Sequence, residues 1–180
     1  VDVDFFVAWS TAIVWQEQGA YLTERQLANA GADPELAARV ISADQEHRGD
    51  TYQDYLDWYA SLDNDVAEFF SEASEDRWNF AERNNDSDEN ETLPAMRDTP
   101  VLLLRGGQDD NVDVDDTERV YRKILDGPCL DVIRYPDAAH NLLDHDGFSL
   151  VATGIFEPSS IFADGLLDDI ERFATQPHDC

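Results

Sequence analysis

Residues 99–112 read Thr-Pro-Val-Leu-Leu-Leu-Arg-Gly-Gly-Gln-Asp-Asp-Asn-Val, and residues 129–142 read Cys-Leu-Asp-Val-Ile-Arg-Tyr-Pro-Asp-Ala-Ala-His-Asn-Leu. The first stretch is an apolar run, Val101 to Leu104, that ends in a Gly-Gly turn and an acidic residue. The second is a strand-like run, Leu130 to Tyr135, that ends in a loop of small residues and a histidine. A short apolar run bounded by turn residues reads as a buried strand. Between the two lies Asp115 to Asp126, with helical spacing and a Gly127-Pro128 stop. Strand, helix and strand in that order imply a parallel sheet covered on both faces.

Working outward, residues 3–9 (Val-Asp-Phe-Phe-Val-Ala-Trp) read as another short buried strand, and Ile161 to Ala174 as an amphipathic helix. The intervening segment has a different texture. Apolar residues recur at helical spacing over 11–30, with Gly31 as the stop. Asp33-Pro34 is a cap followed by proline at the first helical position, opening a helix to about Glu46. Thr51 caps a third helix bearing Tyr52, Tyr55, Leu56 and Tyr59 on one face. Asp65 to Asn84 reads as a fourth, and the polar run 84–92 as a loop. The organisation expected is therefore 1–10 as a core strand, 11–97 as a helical insertion, and 98–180 as the remaining strand-and-helix core.

The chain carries 40 Asp plus Glu against 12 Lys plus Arg, a net charge of -28 over 180 residues, and Lys123 is its one lysine. With 42% hydrophobic residues it is a folded protein and not an acidic disordered tail. So large a like charge repels itself across a compact body. Salt shortens the screening length from about 8 Å at 0.15 M to about 3 Å at 1 M. The charge is spread along the whole chain, which points to adaptation to a high-salt interior or medium, with a cytoplasmic setting in a high-salt cell the favoured one. Thermal unfolding should accordingly move to higher temperature as KCl is raised from about 0.15 M to about 1 M. A melting temperature that is flat or falls over that range would refute the reading. Nucleic acid is disfavoured as a partner, because phosphate binding needs clustered Lys and Arg. No apolar run reaches membrane-spanning length.

Two cysteines are too few for a disulfide framework and lack metal spacing; Cys129, opening a strand, reads as a core side chain. The run Asp109-x-Asn111-x-Asp113 matches the first ligand positions of a calcium loop. However, Val114 stands where the turn glycine is needed and Val120 where the bidentate Glu is needed. No metal or cofactor is expected. Asp115-x-x-Glu118 resembles a capping-box variant at the start of the following helix.

The chemistry-bearing pair is Asp109 and His140. In open α/β sheets, functional groups gather at the carboxyl ends of the strands. A carboxylate there can accept the Nδ1 proton of an imidazole, fix its tautomer and stabilise the imidazolium. Asp110 competes with Asp109, and His145 with His140. His47 and His178 read as inert. For a nucleophile there is no Gly-x-Ser-x-Gly. Ser10 follows a strand but lacks the flanking glycines of a sharp elbow, so it is expected to line the floor of the site or cap the next helix.

The segments Thr99–Val112 and Cys129–Leu142 resemble the C-terminal part of α/β-hydrolase fold enzymes, the serine aminopeptidase and esterase group. Val1–Ser10 resembles the strand that follows the nucleophile-bearing helix in that family, and 11–97 its helical cap. The resemblance implies the triad order Ser, Asp, His, with Asp109 as the acid and His140 as the base. It places the serine, its elbow and the oxyanion loop upstream of Val1, as though the chain were cut from a longer enzyme. Its implied substrate is a small-molecule ester or a peptide, with the aromatic cap residues shaping an apolar pocket. An Asp nucleophile, as in dehalogenation or epoxide opening, stays open, as does a non-catalytic binding member lacking the nucleophile.

Overall fold

The computed structural model describes residues 3–46, 48–125, 127–143, 161–178 and 180. His47 and His145 lie outside the described residues. The chain is mixed α/β, built on a three-stranded parallel sheet in the order β1 (Phe6–Trp9), β2 (Val101–Gly106), β3 (Leu130–Tyr135). Contacts divide it into one unit of 1–13 with 88–180 and a second of 14–87. Residues 88–97 thus belong with the strands.

In the strand unit β2 is the middle strand and every residue of it is buried. Side chains alternate across a strand. Leu102 and Leu104 therefore face one layer, where they join Tyr135, Ala138, Leu142, Leu166 and Phe173 in a single apolar cluster. Val101, Leu103 and Arg105 face the other, where the helix Val114–Ile124 buries Val114, Thr117, Val120 and Tyr121. Among the described residues β1 is an edge strand, half-buried on one face, with Val7 and Trp9 exposed on the other. The last helix, Leu166–Thr175, starts later than the 161–174 expected, because Gly165 sits at φ 81° and Phe162 is engaged in a bridge to Leu143.

The second unit is helical: α1 (Trp15–Ala30), α2 (Pro34–Asp44), α3 (Tyr52–Ser61), α4 (Asn64–Ala67) and α5 (Glu75–Asn84). Its stops and starts follow the local chemistry. Gly31 closes α1 in the left-handed conformation, Asp33 accepts from the amides of Glu35 and Leu36, and Thr51 with Asp54 forms a capping box. The single helix expected over 65–84 is instead two. Tyr52, Tyr55 and Tyr59 of α3 donate their hydroxyls to the carbonyls of Ala73, Ser71 and Phe70. Those carbonyls are thereby drawn out of a helical ladder, and Ser74 caps a new start by accepting from the Arg77 amide. Leu27, Val40, Ala43 and Val66 form the core of this unit, with Trp58, Phe69 and Phe70 against it.

Continuing in chain order, α6 (Glu89–Thr92) occupies part of the run expected as loop, because Asp88 caps it by accepting from the Asn90 amide. The helix Val114–Ile124 is α7 and Leu166–Thr175 is α8. The cap of α7 is Asp113, which accepts from the Asp116 amide, so Asp115 and Glu118 are not the capping pair. Cys129 is not a core side chain either: it is half-buried and disulfide-bonded to Cys180.

Candidate active site

Two loops leave the carboxyl ends of β2 and β3 and meet. Gly106 and Gly107 are what lets them approach. A Cβ on Gly106 would lie 2.4 Å from the Ala139 carbonyl oxygen and 2.5 Å from that of Ala138. One on Gly107 would lie 2.3 Å from the Pro136 carbonyl oxygen. The gap so vacated is filled by backbone hydrogen bonds from Gly107 N–H to Tyr135 O (2.7 Å) and from Gln108 N–H to Ala138 O (2.9 Å).

Asp109 follows directly. Its side chain is fully buried. Oδ1 accepts from the amides of Asn111 (2.8 Å) and Val112 (2.9 Å), which folds the loop around the carboxyl group. Oδ2 lies 3.0 Å from Nδ1 of His140. His140 sits in a turn closed by Leu142 N–H to Ala139 O (2.9 Å). That turn is pinned by Leu142, whose side chain is wholly buried in the apolar cluster while its backbone adopts φ 50°. A leucine at positive φ is a strained residue, held because the packing around it over-determines the conformation. The imidazole itself remains 40% exposed.

With a carboxyl oxygen at Nδ1, the proton resides on Nδ1 and Nε2 is left as the basic nitrogen. The hydrogen bond to Asp109 raises the His140 pKa above its usual 6.5; partial burial opposes this, and the charge of Asp109 adds to the rise. The direction of the pH effect follows. A histidine whose folded-state value is raised gives its full stabilisation below the unfolded value, and that contribution is lost as pH climbs through the folded value. The stability advantage of the unsubstituted protein over His140→Gln should therefore be greatest in acid and shrink above pH 6.5. Urea midpoints of the two proteins measured across neutral pH check this, and an advantage that grows with pH would contradict the pairing.

The two candidate residues are thus brought together by the loops that follow neighbouring parallel strands. Asp110, the alternative acid, is not the His140 partner at Nδ1. Asp109, Asn111 and Asp113 do not form a calcium loop: Asp109 faces His140 and its own backbone, and Asp113 caps α7. Among the described residues no cluster of three His, Cys, Asp or Glu could hold a metal ion. Nor is any helix there long and apolar enough to cross a membrane. His178 donates from Nε2 to the Phe173 carbonyl oxygen (2.8 Å), and its ring lies tilted against that of Phe173.

Ser10 follows β1, its amide donating to Leu104 O at 2.9 Å. It does not cap a helix, since α1 begins at Trp15 behind Val14. Its φ is 44°, and its buried Oγ has no hydrogen-bond partner among the described residues. The sequence reading passed over Leu142 and Arg105. A pair of leucines beginning two residues after the histidine, and one cation at the end of an apolar strand, are the signals that mark them. Comparison of the chain with protein-family models, with curated proteins and with solved structures returns no match.

Proposed function

We propose that this chain supplies the acid and the general base of a serine hydrolase of the α/β-hydrolase type, cleaving an ester or amide bond. The observation that carries the reading is the 3.0 Å contact between Asp109 Oδ2 and His140 Nδ1 at the carboxyl ends of adjacent parallel strands. In this reading the attacking serine comes from outside these 180 residues. His140 Nε2 takes the serine proton as the oxygen attacks the carbonyl, then returns it to the leaving group. Asp109 holds the Nδ1 proton and stabilises the imidazolium formed between those steps. The helical segment plays the part of the cap, and the acidic surface suits molar salt.

The whole polypeptide encoded by the gene is the protein to test. In high salt it should hydrolyse p-nitrophenyl esters and take up a fluorophosphonate probe on one serine, and His140→Ala should abolish both. Incorporation of solvent ¹⁸O into an Asp side chain would instead indicate a carboxylate nucleophile. Neither turnover nor labelling, with His140 still paired to Asp109, would overturn the hydrolase reading in favour of a non-catalytic binding member.

A further inference from the structure

Arg105 is the penultimate residue of β2, and its side chain is only 9% exposed. Burying a guanidinium is costly unless its donors are met. Here they are met from one direction. Nη1 donates to the Val114 carbonyl (3.1 Å) and to Asp115 Oδ1 (2.5 Å), and Nη2 pairs with Glu118 Oε2 (2.6 Å). Glu118 is in turn held by Arg122 at 2.6 Å. All three anchors belong to the first two turns of α7. Nε, also buried, has no partner among the described residues, so the side chain is not placed to satisfy every donor.

The segment between the two ends of this clamp is the loop 107–113, which carries Asp109. Its first residues are tied to the β3 loop through Gly107 and Gln108, and its last, Asp113, caps α7. Among the described residues, without Arg105 the start of α7 would have no ionic link to the end of β2 and would keep only the 4.0 Å contact of Asp115 with Arg134 of β3. A carboxyl group whose oxygens must meet two amides and an imidazole needs both ends of its loop fixed.

We propose that Arg105 is a positioning residue for the Asp109–His140 pair: by bolting the end of β2 to the first two turns of α7, it sets the span of the 107–113 loop so that the Asp109 carboxyl group meets the imidazole. The inference rests on the acid–base reading of that pair for its functional meaning. Its test does not, because it reads the imidazole and not turnover.

The experiment is an NMR titration of the His140 ring in high salt for the unsubstituted chain, Asp109→Asn, Arg105→Met and Arg105→Lys. Asp109→Asn defines the direction of a lost pairing, a fall in the titration midpoint. Arg105→Met should move the midpoint the same way and speed exchange of the Nδ1 proton. The sign separates positioning from charge, since merely deleting a nearby positive charge would raise an imidazole's pKa. Arg105→Lys keeps the charge but not the planar fork. It should also lower the midpoint, and it decides the matter if the methionine variant does not fold. A midpoint that stays put or rises in Arg105→Lys overturns the proposal. Absence of esterase activity with these shifts present would sink the hydrolase reading alone.

Discussion

Under the proposed hydrolase function, Asp109→Asn is expected to lower kcat by about 10⁴-fold, the scale associated with losing the acid of a Ser-His-Asp relay. The structure says why the loss should be so large for so small a change. An asparagine can keep its Oδ1 toward the amides of Asn111 and Val112, because both are donors. Its NH₂ group is then forced toward His140 Nδ1, where the carboxyl oxygen lay 3.0 Å away. Two donors cannot face each other, so the imidazole shifts its proton to Nε2 and can no longer accept one from a hydroxyl. Folding should be nearly untouched, since the loop keeps both of its backbone hydrogen bonds. Full activity in Asp109→Asn, measured with p-nitrophenyl esters, would remove Asp109 from the mechanism. A loss traced to unfolding by circular dichroism would leave it only a structural part.

Gly106→Ala is the second large effect, and it acts on stability first. The new methyl would stand 2.4–2.5 Å from two carbonyl oxygens, those of Ala139 and Ala138. Both are backbone atoms, so no side chain can swing aside. Overpacking of a tight site costs about 1–3 kcal/mol, and obstruction by backbone belongs at the upper end, about 3 kcal/mol. The φ of Gly106 is unremarkable for any residue, so the penalty is one of space and not of backbone conformation. Relief requires the 138–140 loop to move away from β2, which carries His140 off Asp109. Urea unfolding should show the midpoint fall, and the His140 titration should lose its upward displacement in the same variant. A stable protein with an undisturbed imidazole would mean that the loops do not depend on this contact.

Much of this was readable from the chain, and the particular residues show why. Val101 to Leu104 is apolar throughout because a middle strand of a parallel sheet is covered on both faces, and the Gly-Gly that follows announces close approach. Asp109 and His140 could be paired in advance because each ends a strand-to-loop segment at the same edge of such a sheet. The hinge between α4 and α5 was not legible. Its apolar spacing is helical, and what breaks it is three tyrosine hydroxyls from another helix claiming the carbonyls of residues 70, 71 and 73. Pairing across distance of that kind leaves no mark on local periodicity. Arg105 escaped for a related reason: in a strand it reads as a surface cation, and only the fold brings Asp115 and Glu118 to it. Cys129 and Cys180, 51 residues apart, likewise became a pair only in three dimensions.

That disulfide has a practical geometry. Cys129 immediately precedes β3, at the amino-terminal end of the strands, with the Cα atoms of the two cysteines 5.1 Å apart. A strand of six residues spans about 20 Å, so the backbone at Cys180 lies at the opposite pole of the sheet from His140. A flexible tether joined there would hold the strand unit by the end of the sheet opposite the Asp109–His140 pair.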